Sequence, residues 1–498
     1  MKRASYPAES LAAWLHLNGV TSNGVKFQRA DTGDLSAEKG TAVIATESRV
    51  SSMSDAEPTI LFRVPADLVL SLETVHDHAK SDQHLREVLD AVGAFGTTTR
   101  GAILIFLLLQ LTHSSPDITQ RIGVSSPWAE YVKFFPESFP LPTFYRGEEV
   151  SLLEGTSLSS ALNGKVTALE REFEHLRQST ESIPWCQQCW WDADAGRLSI
   201  EDWQYVDAAY RSRMVDLPSI GHSIVPCIDM ANHTGGGEAK ALYDVSSEGS
   251  VILQLRWGQG IQPGEEVTIS YGDEKPASEM LFAYGFLPDD LADAKQVLLD
   301  VTLPEDDPLA VAKNMFCRKN PGLKLSVGGA NEGQTDEAAS DIHWESQLIW
   351  WASVNEEDGL HIGIAQRTDG TKELEARWKD HPIQSCDQLL GFLTADPSWE
   401  IFQLRAVMLV LQRVETQLAS LHRVSNAIDS IRDDEALMGK LFRPEVMATV
   451  SKLRTLEEDL LQRSIQSLIN QRNTLVESPA VMSYLTKQSV PEDVEDFS

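Results

Sequence analysis

Cysteine is scarce in this chain, with five among 498 residues. A structural zinc site takes about four ligands. Cys186 and Cys189 form a lone C-x-x-C with no second pair at matching spacing, and no strand–helix–strand pattern around them suits a redox pair. No metal site is therefore expected, and the two read as ordinary thiols beside a Trp-rich segment. So few cysteines in so long a chain argue for a reducing compartment, cytoplasmic and/or nuclear. Positive charge is also in short supply: 42 Lys and Arg stand against 74 Asp and Glu, for a net charge of −32. Such a chain has few spare cations with which to displace counterions from a phosphate backbone. Direct nucleic-acid binding is not expected; a basic protein partner suits the charge better. Long apolar runs are missing as well. The most apolar one, from Ala102 to Leu111, falls short of the roughly 20 residues needed to span a bilayer and reads as a buried helix. Met1-Lys-Arg is basic, but Ala4 to Ser10 holds no apolar run, so no secretory or transit segment is expected.

What is present is a large core, with 42% hydrophobic residues, and a texture that changes along the chain. Ser10 to Leu17 predicts a short helix with Ser10 as its cap. From Gly24 to Leu72 come short runs rich in Val, Ile and Thr: Val25-Lys-Phe, Thr41 to Thr46, Thr59 to Val64 and Leu68 to Leu72. They predict small strands. Helical periodicity follows from about His84 to Arg213, interrupted by aromatic, Pro-rich loops at Pro127-Trp128 and Phe139 to Pro142. Strand texture returns at Ala241 to Val245, Val251 to Trp257 and Glu266 to Tyr271, and a short helix from Ser278 closes at Gly285. β-rich material thus brackets a helical insertion. Beyond about Ala294, a small, polar stretch from Ser326 to Ser340 predicts a flexible loop. Amphipathic helices follow around Ile401 to Leu421 and Val450 to Leu475, and the chain ends in an acidic tail, Pro491 to Ser498. In the second helix Val450, Leu453, Leu460, Leu461, Leu468 and Ile469 mark the apolar face; Arg454, Glu457, Glu458, Arg463 and Arg472 mark the other. These helices predict a bundle packed on itself, with a partner-binding groove as the alternative.

Two stretches carry the chemistry. Val225-Pro-Cys-Ile-Asp-Met-Ala-Asn-His233 and Gly264-Glu-Glu-Val-Thr-Ile-Ser-Tyr-Gly272 each set polar anchors at the end of an apolar run. An apolar floor with a few placed hydrogen-bonding groups is how a small-molecule site is made. Two more pieces precede them, Lys39-Gly40-Thr-Ala-Val-Ile-Ala-Thr46 and Tyr210-Arg-Ser-Arg213, and Ala283-Tyr-Gly-Phe286 follows. In this order and spacing they resemble a SET-domain methyltransferase of the class typified by the Rubisco large-subunit lysine methyltransferase. The resemblance is strongest over residues 220 to 287 and only architectural after 300.

The resemblance implies an α+β fold: a small-sheet, β-rich SET core interrupted by a helical insertion, then an all-α C-terminal substrate-binding domain. The SET domain would span 10–290, with β-rich parts at 20–75 and 220–287 and the insertion at about 84–215. The C-terminal domain would span 295–498. It further implies S-adenosyl-L-methionine as cofactor and methyl transfer to a lysine of a protein, in a monomer that binds neither nucleic acid nor membrane. Tyr271 falls on the catalytic tyrosine and Tyr284 on a second tyrosine lining the lysine channel. Gly40 falls on the first glycine of the cofactor loop, with Ala42 after it, and Asn232 and His233 on the cofactor-binding pair. Asp229 belongs to the same cofactor-side motif. Arg213 matches an arginine near the cofactor's carboxylate, and Phe286 an aromatic packed on the adenine. Ala42 stands where the family often has a second glycine, and Ala277 where an asparagine is usual. Those departures keep open a SET-fold binding scaffold without catalysis, and some relatives in the class methylate histidine. The acidity suits a basic substrate such as a ribosomal, translation-associated or histone protein.

Overall fold

The computed structural model describes residues 1–29, 40–52, 57–194, 196–304, 306–318, 322–328, 342–366, 372–431 and 435–488. Lys39, most of the polar stretch expected to be a loop (329–340) and the acidic tail 491–498 lie outside the described residues. The chain divides into two compact units. One comprises Met1–Arg146, Ala161–Glu274 and Glu279–Asp290; the other comprises Gly147–Ser160, Lys275–Ser278 and everything from Leu291 onward.

The first unit is built on small sheets. Thr21–Ser22, Ile60–Val64, Val251–Leu255 and Ala241–Val245 form a four-stranded antiparallel sheet in that order. Val25–Arg29 pairs with Thr41–Ala45, and Met214–Leu217 with Gly221–Ile224. The two runs predicted as strands at Leu68–Leu72 and Glu266–Tyr271 behave differently. Ser71 and Thr74 close a reciprocal capping box, so Leu72 opens the helix Leu72–Ser81 rather than ending a strand. Residues 266–271 join no ladder. They thread between partners instead: Val267 N–H donates to the Val43 carbonyl, and the Thr268 carbonyl accepts from Ala241 N–H. Ile269 then lies parallel to His233. Thr99–Ser114 is the predicted buried helix, capped by Thr98 and enclosed all round from Gly101 to Thr112. Its neighbours include Gln83–Ala91 and Ile200–Arg213.

The second unit has the two predicted long helices, Trp399–Ile431 and Pro444–Val476. It is not all-α as expected. Gln296–Asp300, Gly322–Val327 and Ile342–Glu345 make one antiparallel sheet, and Leu360–Gln366, Lys372–Trp378 and His381–Ile383 another. Two charges assigned to the solvated face of Pro444–Val476 are in fact buried. Arg454 is 4% exposed and Glu457 1%. Both reach residues 147–160, which group with these helices. Arg454 donates to the carbonyls of Leu152 and Glu154, while Glu457 accepts from the Ser157 amide at 2.8 Å and from its hydroxyl. Glu149, also fully buried, takes a bidentate pair of bonds from Arg443. Cys317 and Cys386, whose Cα atoms are 5.4 Å apart, form a disulfide that the sequence reading did not foresee. Cys186 and Cys189 are buried, free thiols. Among the described residues no His, Cys, Asp and Glu gather as metal ligands, and no helix is long and apolar enough to cross a membrane.

Candidate active site

The site grows from the turn at 225–233. Cys227 sits at φ 76°, a left-handed conformation that costs a side-chain-bearing residue something to hold. The fully buried Tyr131 braces it: the Tyr131 hydroxyl accepts the Cys227 amide at 2.7 Å and donates to Asp229 Oδ1 at 2.5 Å. Asp229 Oδ2 accepts from Arg213 Nη1 at 2.9 Å. Burial pushes the Asp229 carboxyl up, against the Arg213 charge and the bonds from Tyr131 and Arg213, which favour the anion. The Arg213 guanidinium lies 4.6 Å over the Phe135 ring, and its Nε is buried with no hydrogen-bond partner among the described residues.

The turn delivers the Ala231 carbonyl to the Tyr271 hydroxyl, which donates to it at 2.9 Å. The Tyr271 amide donates to His233 Nδ1 at 3.0 Å. That bond makes Nδ1 an acceptor, so a neutral ring carries its proton on Nε2; burial lowers the His233 pKa and favours that neutral ring. Four rings then gather. His233 stacks on Tyr271 at 5.1 Å, Tyr284 lies 4.5 Å from Tyr271, and Phe286 lies 6.3 Å from His233 and 6.5 Å from Tyr284. Burial first, then the neighbouring Tyr284, raises the Tyr271 pKa well above the usual phenol range. Tyr271 is therefore a phenol at neutral pH and holds its proton against the Ala231 carbonyl.

The helix carrying Tyr284, Ala277–Tyr284, ends at Gly285, φ 82°, where a Cβ would lie 2.7 Å from the Pro140 carbonyl oxygen. Only glycine suits that place. Arg211 pins the same helix end. Its Nη1 donates to the Phe282 carbonyl, its Nη2 to Thr143 Oγ1 at 3.0 Å and its Nε to the buried Asp207 at 2.8 Å.

With this geometry in view, the chain can be set beside known proteins. No family model matches it. SET domain-containing protein 8 of Schizosaccharomyces pombe is 23% identical over 423 residues, covering 82% of this chain and 91% of that protein. The chloroplastic fructose-bisphosphate aldolase-lysine N-methyltransferase of Arabidopsis thaliana is 25% identical over 224 residues, 44% of this chain and 45% of its own length. The solved SET domain of LSMT bound to methyllysine and AdoHcy superposes with a TM-score of 0.62 at 16% identity, covering 98% of both chains. Rubisco LSMT bound to AdoMet gives 0.60, covering 98% of each. The chain has the SET-domain fold.

Within this fold the structure sorts the residues singled out from sequence. Asn232, His233, Tyr271, Tyr284 and Phe286 come together with Arg213 and Asp229 at one place. Gly40, at φ 70°, precedes the strand Thr41–Ala45, and among the described residues nothing lies within 4 Å of a Cβ added to it. Ala42, opposite Gln28 in the hairpin and 1% exposed, offers a ligand almost no surface. The Asp229 side chain is fully buried, with its two oxygens taken by Tyr131 and Arg213. The Asn232 side chain is engaged, donating to Glu266 Oε1 at 2.6 Å, and its carbonyl accepts from Ile269 N–H. It holds the crossing of the two threaded segments together. Ala277, fully buried, donates its amide to the Ala294 carbonyl. Sequence reasoning missed Tyr131 and Arg211. The only signals for them were an aromatic in a Pro-rich loop and the first arginine of Arg211-Ser-Arg213.

Proposed function

We propose that this protein is an S-adenosylmethionine-dependent protein N-methyltransferase whose acceptor is a lysine side chain. The observation that carries the reading is the gathering of the Tyr284, His233 and Phe286 rings around Tyr271, whose hydroxyl is held on the Ala231 carbonyl, within a SET fold. Two features fit the cofactor. The buried Arg213 Nε lacks a partner, as a donor awaiting a carboxylate would. Gly40 has no described neighbour within 4 Å of an added Cβ, which suits close approach to its backbone. Gly40, Arg213, His233 and Phe286 would hold the cofactor, with Asn232 keeping the threaded segments in register. When bound, the cofactor supplies a methyl group on a sulfonium.

The chain's own residues do the rest. A free lysine has a pKa of about 10.4, so only roughly one in a thousand is neutral at pH 7. Lining a channel with Tyr271 and Tyr284 disfavours the ammonium by desolvation and brings the amine lone pair within range of neutral pH. Tyr271 is no base, since its own proton is held far above neutral pH. Its hydroxyl, fixed on the Ala231 carbonyl, presents oxygen to the amine and to the polarised methyl, while the rings exclude water. Most of the acceleration comes from this alignment.

The net charge of −32 supports a basic segment of a protein as the substrate, and we take the enzyme to act as a monomer. Three free, buried thiols support a cytoplasmic or nuclear location; the Cys317–Cys386 bond is the feature that opposes it. Calorimetric titration with S-adenosylmethionine tests the reading first. Saturable one-to-one binding, followed by transfer of labelled methyl to a lysine in a basic protein extract, is expected. Absence of heat and of thermal stabilisation at millimolar cofactor would leave a binding scaffold in its place.

A further inference from the structure

Tyr131 carries more than a packing role. Its ring is enclosed by Trp14 at 4.8 Å, Trp128 at 5.3 Å and Phe135 at 5.8 Å, and it is 0% exposed. A phenol buried in this way needs a hydrogen-bond partner; this one has two, and both lie on the turn that builds the site. It accepts from Cys227 N–H, at the left-handed residue, and donates to Asp229 Oδ1. The carboxylate is thereby divided, one oxygen for Tyr131 and the other for Arg213. Arg213 in turn is tethered by one Nη to Asp229 while its buried Nε stays without a partner. The direction of that donor depends on the rotamer of Asp229, and Tyr131 fixes that rotamer.

We propose that Tyr131 is a positioning residue of the methyl-transfer site, aiming Arg213 through Asp229 at the α-carboxylate of the bound nucleoside. The inference rests on the function proposed above and adds to it a residue outside the recognised motifs. It also separates two parts of one ligand. The relay acts on the amino-acid end, whereas the adenosine end meets other residues, Phe286 and His233 among them. Partners one step removed from a ligand commonly change its affinity by roughly tenfold to a hundredfold.

Two product-like nucleosides test this. S-adenosylhomocysteine and 5′-methylthioadenosine are both thioethers, and the second lacks the amino-acid end. Affinities for both are measured by calorimetry or competition on the full chain, for wild type, Tyr131→Phe and Asp229→Asn, with circular dichroism and melting curves as checks of folding. Tyr131→Phe should weaken S-adenosylhomocysteine about tenfold and leave 5′-methylthioadenosine within about twofold. Asp229→Asn should show the same selectivity, and it carries the test alone if Tyr131→Phe does not fold. Equal weakening of both nucleosides would mean a structural role only and would overturn the proposal; so would no change in either. A wild type that binds neither nucleoside at millimolar concentration overturns the methyltransferase reading itself, and this proposal with it.

Discussion

Arg213 and Arg454 are both largely buried arginines, one in each unit, and they are used in opposite ways. Arg454 gives Nη1 to the carbonyls of Leu152 and Glu154, and Nη2 to the Leu421 carbonyl and to Ser425 Oγ at 2.9 Å. Arg213 gives Nη1 to Asp229 and keeps its buried Nε unpartnered. A buried cation whose two Nη groups are both taken up by the chain is a clamp. One with a donor left over has room for a ligand, because leaving a buried donor unmade is costly until something binds it. In the first unit, then, Arg213 keeps one buried donor to spare among the described residues. Around Arg454 the same type of side chain joins segments about 300 residues apart in sequence.

The contrast can be broken at either end. Arg454→Met should destabilise the C-terminal unit most, by about 3–5 kcal/mol, because three carbonyls and Ser425 lose a buried donor and Glu457 loses a nearby positive charge. Denaturant unfolding measures this, and affinity for S-adenosylmethionine should stay within about twofold. Tyr271→Phe should do the reverse. We expect turnover to fall on the order of a hundredfold, about 2.7 kcal/mol in the barrier, with melting temperature and cofactor affinity nearly unchanged; equal turnover would remove the role assigned to that hydroxyl.

Gly155→Ala should cost about 2–4 kcal/mol, combining backbone strain and overpacking, read from denaturant unfolding. Gly155 has φ 80°, and an added Cβ would meet the Leu421 backbone at 2.6 Å. A smaller effect concerns pH. Burial raises the Glu457 pKa to about 7 despite the Ser157 bonds and the nearby Arg454 charge. A carboxyl raised on folding adds stability that is full below its unfolded value and is lost as pH rises through the folded one. Relative to Glu457→Gln, the wild type should therefore lose about 2 kcal/mol between pH 5 and pH 8, seen as diverging melting curves.

Much of the SET core was legible. Runs such as Thr41–Ala45 and Val251–Leu255 alternate or saturate with β-branched residues. The Asn232-His233 and Tyr271 motifs keep order and spacing, so their convergence could be expected without coordinates. Three things were not legible, each for a physical reason. Leu68–Leu72 looked like a strand because its apolar residues hide that Ser71 is a helix cap. The sheets between 296 and 383 escaped notice because their strands are short or largely exposed, as in Leu360–Gln366, and leave only a faint alternation. Tyr131 was invisible as a site residue because a buried tyrosine and a positioning tyrosine differ only in what the hydroxyl touches, 96 and 98 residues away.

The segment 147–160 bears on how the chain is made. Its partners in the C-terminal unit, among them Gln417, Arg443, Arg454 and Glu457, are encoded as much as 302 residues later. At synthesis rates of about 5–20 residues per second, that distance is a wait of roughly 15–60 s on the ribosome. Through that interval Glu149 has no Arg443 and Ser157 no Glu457. The first unit can begin folding on either side of this stretch while the stretch itself stays unclaimed, open to chaperones and proteases until the last helices emerge.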